Sequence, residues 1–355
     1  MDSEIQENQK KVKVGIVGAT GYGGVELIRL LEGHPVFQVE AVYSSSKEQK
    51  EVREEYPHLA HYNWLLEKID PEEMAKSVDL VFTATPSGIS TTLVPQLIEA
   101  GNRVVDLSGD FRLKEEGMYE KWYGKTPGPK KYIDEATYGL VEWFSEEVKE
   151  STFISNPGCY PTATLLGLIP VVKERMIQPH SIIIDAKSGL SGAGRSLSRT
   201  AHYAEINENM KIYKVNKHQH IPEIEQTLHR FDDTIGHVTF NPHLVPMTRG
   251  IMSTIYATVK DAMTREELYE VYKKAYERST FVRVRPLGEF PATKEVSGSN
   301  YCDIGIDYDE RTNRVTIVSV IDNLVKGAAG QAIENANILM GLKAETGLGF
   351  LPMYP

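Results

Sequence analysis

Cysteine is almost missing from this sequence. The only two, Cys159 and Cys302, stand too far apart for a disulfide framework, which predicts a reducing, cytoplasmic compartment. No group of Cys and His has the spacing of zinc ligands, so no metal is expected. Long apolar runs are missing too: nothing approaches the roughly 20 residues that span a bilayer. The opening MDSEIQENQKK is polar and lacks the apolar core of a signal peptide; residues 1–10 read as a frayed lead-in. There is no excess of positive charge. A formal net charge of −10 argues against nucleic acid or an anionic membrane as partner. It leaves room for a small anionic substrate gripped by a few arginines.

What is present is ordinary soluble protein, 41% apolar and 25% charged over 355 residues, long enough for two domains. Residues 11–18, KVKVGIVG, read as a buried strand. GATGYGG follows, then VELIRLLEGHP at helical spacing, then VEAVYSSS (39–46) as a second strand. DLVFTATPSG (79–88) and NRVVDLSGD (102–110) repeat the apolar strand with a small-residue turn, with ISTTLVPQLIEAG helix-like between them. Such alternation predicts a parallel sheet covered on both faces. Beyond about residue 160 the candidate strands 181–189, 236–246, 250–260 and 314–323 alternate polar and apolar residues, with a helix at 264–277. That predicts an α+β domain with a largely antiparallel sheet. KGAAGQAIENANILMGL (326–342) is helix-periodic, and GKTPGPKKY (124–132) reads as a loop.

Gly18, Gly21 and Gly24 fall at the first strand–helix junction. Glycines there let a backbone approach a pyrophosphate, and a helix start supplies free N–H groups. The second strand ends in Ser44, Ser45, Ser46 and Lys47. Hydroxyls and a lysine accept a 2′-phosphate that a carboxylate would repel, which favours NADP over NAD; Glu40, inside the strand, is the competing reading.

Cys159 follows the turn Asn156-Pro157-Gly158, and Pro161 suits the first turn of a helix. TATLLGLI supplies the apolar face until Pro170, expected to break or kink it. A thiol at a helix start is expected to have a lowered pKa, and neighbouring N–H groups, with the Asn156 side chain, are suited to an oxyanion. A small buried apolar role is the alternative for Cys159, and is the reading for Cys302. A nucleophilic thiol needs a proton partner, usually histidine. His218 and His220 stand out in KVNKHQHIPEIEQ; in an extended segment both would face one side. His34, His58, His61 and His229 read as loop or surface residues. Arg112, Arg195 and Arg249 lie at strand ends or in loops, where anion binding competes with a plain surface role.

ISNPGCYPTATLLGLIP resembles the active-site signature of the N-acetyl-gamma-glutamyl-phosphate reductase family. GATGYGG, DLSGDFRL, SGLSGAGR, HQHIPEIEQ, VPMTRG and VIDNLVKGAAGQA resemble the same family in the same order, over essentially the whole chain after residue 11. Val141, in YGLVE, stands where the family is expected to have proline. The resemblance implies an oxidoreductase of arginine biosynthesis. It would reduce N-acetyl-glutamyl 5-phosphate with NADPH to the 5-semialdehyde through a cysteine thioester, releasing phosphate. It implies Cys159 as nucleophile and His220, in preference to His218, as acid/base. Asn156, Arg112, Arg195, His218, Glu223 and Arg249 are implied at the substrate. Gly18, Thr20, Gly21, Tyr22, Gly23, Gly24, Ser44, Ser46, Pro86, Ser188, Gly192 and Asn323 are implied at the cofactor. The implied fold is an α/β Rossmann-type dinucleotide-binding domain (11–158 and 326–355, the C-terminal helix returning to it). A semialdehyde-dehydrogenase/glyceraldehyde-dehydrogenase-like α+β domain (159–325) would carry substrate and oligomerisation, as a homodimer or homotetramer. Aspartate-semialdehyde dehydrogenases and phosphorylating glyceraldehyde dehydrogenases, against both of which the NPGCYPT context argues, a relative using a carrier-bound acyl phosphate, and a non-catalytic NADP-binding sensor are the rival readings.

Overall fold

The computed structural model describes residues 11–44 and 47–355; the lead-in, Ser45 and Ser46 lie outside the described residues. The chain divides into two compact units: Met1–Phe111, Thr126–Asn156 and Ala332–Gly349 form the first, and Arg112–Lys125, Pro157–Gln331 and Phe350–Pro355 the second. Between the large pieces the chain passes from the first unit to the second at 156/157 and returns at 331/332, and two further pieces, 112–125 and 350–355, group with the second unit. Side-chain and backbone bonds explain both. Gln226 donates to the Arg112 carbonyl at 3.0 Å and accepts the Lys114 N–H at 2.7 Å, and the Met353 N–H donates to the Ser297 carbonyl at 2.8 Å.

The first unit holds strands β1 (Val12–Val17), β2 (Phe37–Tyr43), β3 (Leu66–Glu67), β4 (Leu80–Thr83), β5 (Arg103–Asp106), β6 (Thr137–Tyr138) and β7 (Phe153–Ser155). Among the described residues they form one sheet ordered β3-β2-β1-β4-β5-β7-β6, every pair parallel. Helices α1 (Tyr22–Leu31) and α2 (Ser90–Glu99) follow β1 and β4. Because β1 and β4 are neighbours while the chain runs from β1 outward to β2 and β3, strand order reverses between them. That is the crevice where open α/β sheets bind ligands. The expected 124–132 loop is shorter than predicted, since a helix spans Lys130–Glu135. Val141 starts the helix Val141–Glu150, a position where proline fits equally well.

His34, expected at the surface, is buried. Its Nε2 lies 3.1 Å from the Asn337 side chain and 3.0 Å from the Thr346 carbonyl, while Nδ1 accepts the N–H groups of Val36 and Phe37. The ring ties the C-terminal segment to the turn after α1.

The second unit carries β8 (Ile183–Ser188), β9 (Lys211–Ile212), β10 (Thr239–Leu244), β11 (Ile251–Thr258), β12 (Val282–Val284), β13 (Cys302–Asp309) and β14 (Arg314–Ile321), ordered β12-β13-β14-β11-β8-β10-β9. The sheet is mixed: β8–β10 and β12–β13 are parallel and the other pairs antiparallel. Alternation reveals which face is buried but not which way a neighbour runs. Along β11, Ile251, Ser253, Ile255 and Ala257 are buried and the residues between them half-buried, as a sheet packed on one face requires. Helices α3 (Cys159–Lys173), α4 (His220–His229) and α5 (Arg265–Tyr276) pack in this unit. Every residue of α3 from Tyr160 to Val172 is buried, so it has no polar stripe.

The helix runs on through Pro170. Proline removes the N–H that would bond the carbonyl four residues back, here Leu166. The Tyr276 hydroxyl donates to that carbonyl instead, and the Tyr272 hydroxyl donates to Gly167 at 2.6 Å. Two tyrosines of α5 thus repair the helix where local sequence predicts a break. Among the described residues no helix is long and apolar enough to cross a membrane.

Candidate active site

The second unit gathers its chemistry around Gly158 and Cys159. Gly158 is the N-cap of α3 and Cys159 its first residue, so the Cys159 and Tyr160 N–H groups point past the helix start at the sulfur. On α4, His220 and Glu223 are three residues apart and share a face. A Cβ on Gly158 would lie 2.5 Å from His220 Nε2 and 2.9 Å from Arg112 Nη1; only a residue without a side chain lets both groups come this close. Glu223, with no exposed surface, accepts the Gly158 N–H at 2.8 Å and lies 3.5 Å from Arg112 Nη1. It orders the turn and the arginine together. On the other side, a Cβ at Gly327 would come within 2.9 Å of that of Cys159.

The Gly158 N–H is thus spent on Glu223, which leaves the N–H groups of Cys159 and Tyr160 to face developing negative charge. Both, with Arg112, pull the Cys159 thiol downward, but burial outweighs them and pushes it up to about 11. The expected lowered pKa is therefore corrected: a helix start alone does not offset desolvation. Burial, His218 and Arg112 together hold the His220 imidazole well below its usual range, so at neutral pH His220 is uncharged. The resting pair is a thiol beside a neutral imidazole, and His220 is in the form that accepts a proton.

His218 and His220 do not lie on an extended segment. His220 opens α4, and the His220 N–H donates to His218 Nδ1 at 3.2 Å. His218 is buried, which pushes it down to about 3. Arg249 lies 3.6 Å from the buried Asp322, and Arg195 is in an exposed loop. Asn323 accepts the Gly250 N–H at 2.7 Å and donates to Ser191 at 2.9 Å; Ser188 is buried, with Gly192 beside it. Asn156 belongs to the first unit, where its Oδ1 accepts from Asn335 at 3.0 Å. Cys302 is fully buried in β13, 3.4 Å from Ser319 Oγ. Sequence reasoning missed Tyr160, Tyr213 and Gln226. Tyr160 could have been found from its place beside the cysteine; Tyr213 carries no local signal.

The glycine array of the first unit forms a cradle. A Cβ at Gly18, whose φ is +86°, would lie 2.4 Å from the Ala84 carbonyl oxygen, and one at Gly24 2.3 Å from the Gly18 carbonyl oxygen. Those two glycines let α1 close onto β1 and β4. A Cβ at Gly21 or Gly23 would meet protein atoms only at 3.5 or 3.8 Å, so packing leaves space there that a diphosphate can fill. Gly21, the N-cap of α1, supplies no side-chain cap. Tyr56 donates to the Thr20 carbonyl at 3.1 Å, and the Pro86 carbonyl accepts the Ile89 N–H at 3.4 Å. Ser44 is buried and its N–H donates to the Glu67 carbonyl at 3.1 Å; Ser46 lies outside the described residues. Gly24→Ala is expected to displace α1, because the obstructing atoms are backbone. It should cost about 1–3 kcal/mol and weaken binding of a dinucleotide at least about tenfold, read by thermal melting and fluorescence titration. An unchanged affinity would contradict the cradle.

A family model described as semialdehyde dehydrogenase, NAD binding domain, matches residues 13–151, and one described as semialdehyde dehydrogenase, dimerisation domain, matches residues 159–323. Proteins named N-acetyl-gamma-glutamyl-phosphate reductase from Geobacillus sp. (strain WCH70) and Halalkalibacterium halodurans are 57% and 55% identical to the chain. Each aligns over 345 residues, 97% of this chain and 100% of the relative. In fold the chain is similar to aspartate semialdehyde dehydrogenase II of Vibrio cholerae complexed with ASA (TM-score 0.70, 18% identity, 94% of this chain and 99% of that one). It is likewise similar to aspartate semialdehyde dehydrogenase with NADP from Candida albicans (TM-score 0.68, 18% identity, 93% and 99%). Those two likenesses concern the fold alone; the full-length relatives and both family models place the chain in the N-acetyl-gamma-glutamyl-phosphate reductase family of semialdehyde dehydrogenases.

Proposed function

We propose that the chain reduces N-acetyl-glutamyl 5-phosphate to N-acetyl-glutamate 5-semialdehyde and phosphate with NADPH, a step of arginine biosynthesis, through a thioester on Cys159. The observation that carries this is the constellation of His220, Arg112 and Glu223 around Gly158 and Cys159. His220, neutral at rest, takes the thiol proton as sulfur bonds to the acyl carbon. The carbonyl electrons move to oxygen, whose charge faces the N–H groups of Cys159 and Tyr160 and the Arg112 guanidinium. The oxyanion collapses, the carbon–oxygen bond to phosphate breaks, and the thioester remains. NADPH, for which the cradle at Gly21 and Gly23 leaves room, would supply the hydride that reduces the thioester to an anionic thiohemiacetal. The thiohemiacetal then expels sulfur, and the His220 imidazolium returns its proton to the thiolate. Glu223 holds the turn in register and offsets the Arg112 charge.

NADP rather than NAD is supported by the end of β2. Glu40, the competing carboxylate, stands in a register shift between Val39 and Ala41 and pairs with Lys13 at 2.9 Å, inside the strand. The described residues closing it are Ser44 and Lys47, the lysine 2.6 Å from Glu55. The dimerisation-domain match supports a homodimer or homotetramer, and a cytoplasmic enzyme fits the reduced thiol chemistry. The test is phosphate-dependent reduction of NADP by purified protein with N-acetyl-glutamate 5-semialdehyde, beside aspartate semialdehyde and beside NAD. Turnover with the acetylated substrate and NADP alone is expected. Preference for aspartate semialdehyde would overturn the substrate, and preference for NAD the cofactor.

A further inference from the structure

We propose that Tyr213 is a positioning residue for proton transfer at Cys159, acting with His218 and Tyr160 in a directed hydrogen-bond chain that fixes the start of the helix carrying His220. The inference rests on the reading of His220 as acid/base. Among the described residues, His220 Nδ1 is buried with no hydrogen-bond partner. The far nitrogen of a catalytic histidine is usually held by an acceptor that sets the ring; here the ring has only its backbone and its packing. That backbone is held by His218, whose Nδ1 accepts the His220 N–H at 3.2 Å.

An amide N–H can only donate, so His218 Nδ1 is bare and its ring proton sits on Nε2. Nε2 lies 3.4 Å from the Tyr213 hydroxyl, at the long end for a hydrogen bond. Tyr213 donates to the Tyr160 hydroxyl at 3.4 Å, and Tyr160 donates to the His243 carbonyl at 3.2 Å. A carbonyl can only accept. The chain therefore starts on a group that only donates and ends on one that only accepts, and every hydroxyl between has one direction. Ring packing reinforces it: His218 lies 4.7 Å from His220, 5.5 Å from Tyr160 and 5.6 Å from Tyr213, centroid to centroid. Tyr213 reaches this place from the turn after β9, where its N–H donates to the Pro242 carbonyl at 3.1 Å. The charged and titratable groups facing the two histidines are Arg112, Lys214, Glu223, Cys159, Tyr160 and Tyr213. None of them accepts from His220 Nδ1, so the orientation of the base passes through His218.

Tyr213→Phe keeps the ring and removes the hydroxyl. His218→Asn keeps a near-backbone acceptor for the His220 N–H and breaks the link to Tyr213. Each is expected to lower kcat about tenfold with KM within about twofold, and the double variant should be no slower than the slower single one, because both cut the same chain. Multiplying losses, a loss confined to KM, or a Tyr213→Phe protein at full rate would overturn the proposal. If Tyr213→Phe does not fold, His218→Asn carries the kinetic test alone. Nitrogen-15 histidine spectra of the wild-type protein read the chain without substrate: His218 is expected as the Nε2–H tautomer, and an Nδ1–H tautomer would overturn it. A wild-type protein inactive on the acetylated substrate but showing the Nε2–H tautomer would count against the proposed function and leave the chain standing.

Discussion

Cys159→Ala protein is expected to bind NADPH with unchanged affinity while losing turnover by at least about 10⁴-fold, the scale of removing a covalent nucleophile. The two halves of this expectation have separate origins. The glycine cradle belongs to the first unit and Cys159 to the second, and alanine retains the Cβ that packs on Gly327. Without sulfur no thioester forms, and hydride would have to reach an acyl phosphate directly. Steady-state rates and NADPH titration check both halves. A variant that still turned over near the wild-type rate would remove Cys159 from the mechanism.

The second large effect is at His220. His220→Asn is expected to slow turnover by about 10²–10⁴-fold, the range for a lost acid/base. Arg112 and the N–H groups of Cys159 and Tyr160 remain to stabilise charge, so the loss should fall short of that at Cys159. Its pH signature follows from direction. Burial, His218, Arg112 and Lys214 all oppose charge on the imidazole, so it accepts a proton at any pH above its lowered pKa. In the wild type the acid limb of kcat/KM assigned to this group should therefore fall well below pH 6.5, and His220→Asn should lack it. A greater loss from His218→Asn than from His220→Asn would exchange the two roles.

The site was legible where its signals are local. Asn156-Pro157-Gly158 and Pro161 mark a turn into a helix, which puts Cys159 at the helix start without any knowledge of the rest of the chain. The glycines after β1 mark the cradle in the same way. What sequence did not reveal depends on distant residues. The thiol pKa rises because desolvation is set by everything packed on the sulfur, whereas a helix start is visible from a few residues. α3 passes through Pro170 because Tyr276, 106 positions later in number, serves the freed Leu166 carbonyl. Residues 112–125 join the second unit because Gln226 grips the Arg112–Lys114 backbone, an attachment with no counterpart in local pattern. Gly158 looked like a turn residue; its larger task is to make room for His220 and Arg112.

A covalent acyl intermediate on the Cys159 sulfur is open to direct capture. Wild-type protein is mixed with N-acetyl-glutamyl 5-phosphate in the absence of nicotinamide nucleotide, quenched in acid and digested for mass spectrometry. An N-acetylglutamyl thioester is expected on the peptide containing Cys159, absent from Cys159→Ala and discharged when NADPH is added before the quench. Phosphate release without any adduct at Cys159, or an adduct that NADPH does not discharge, would contradict it.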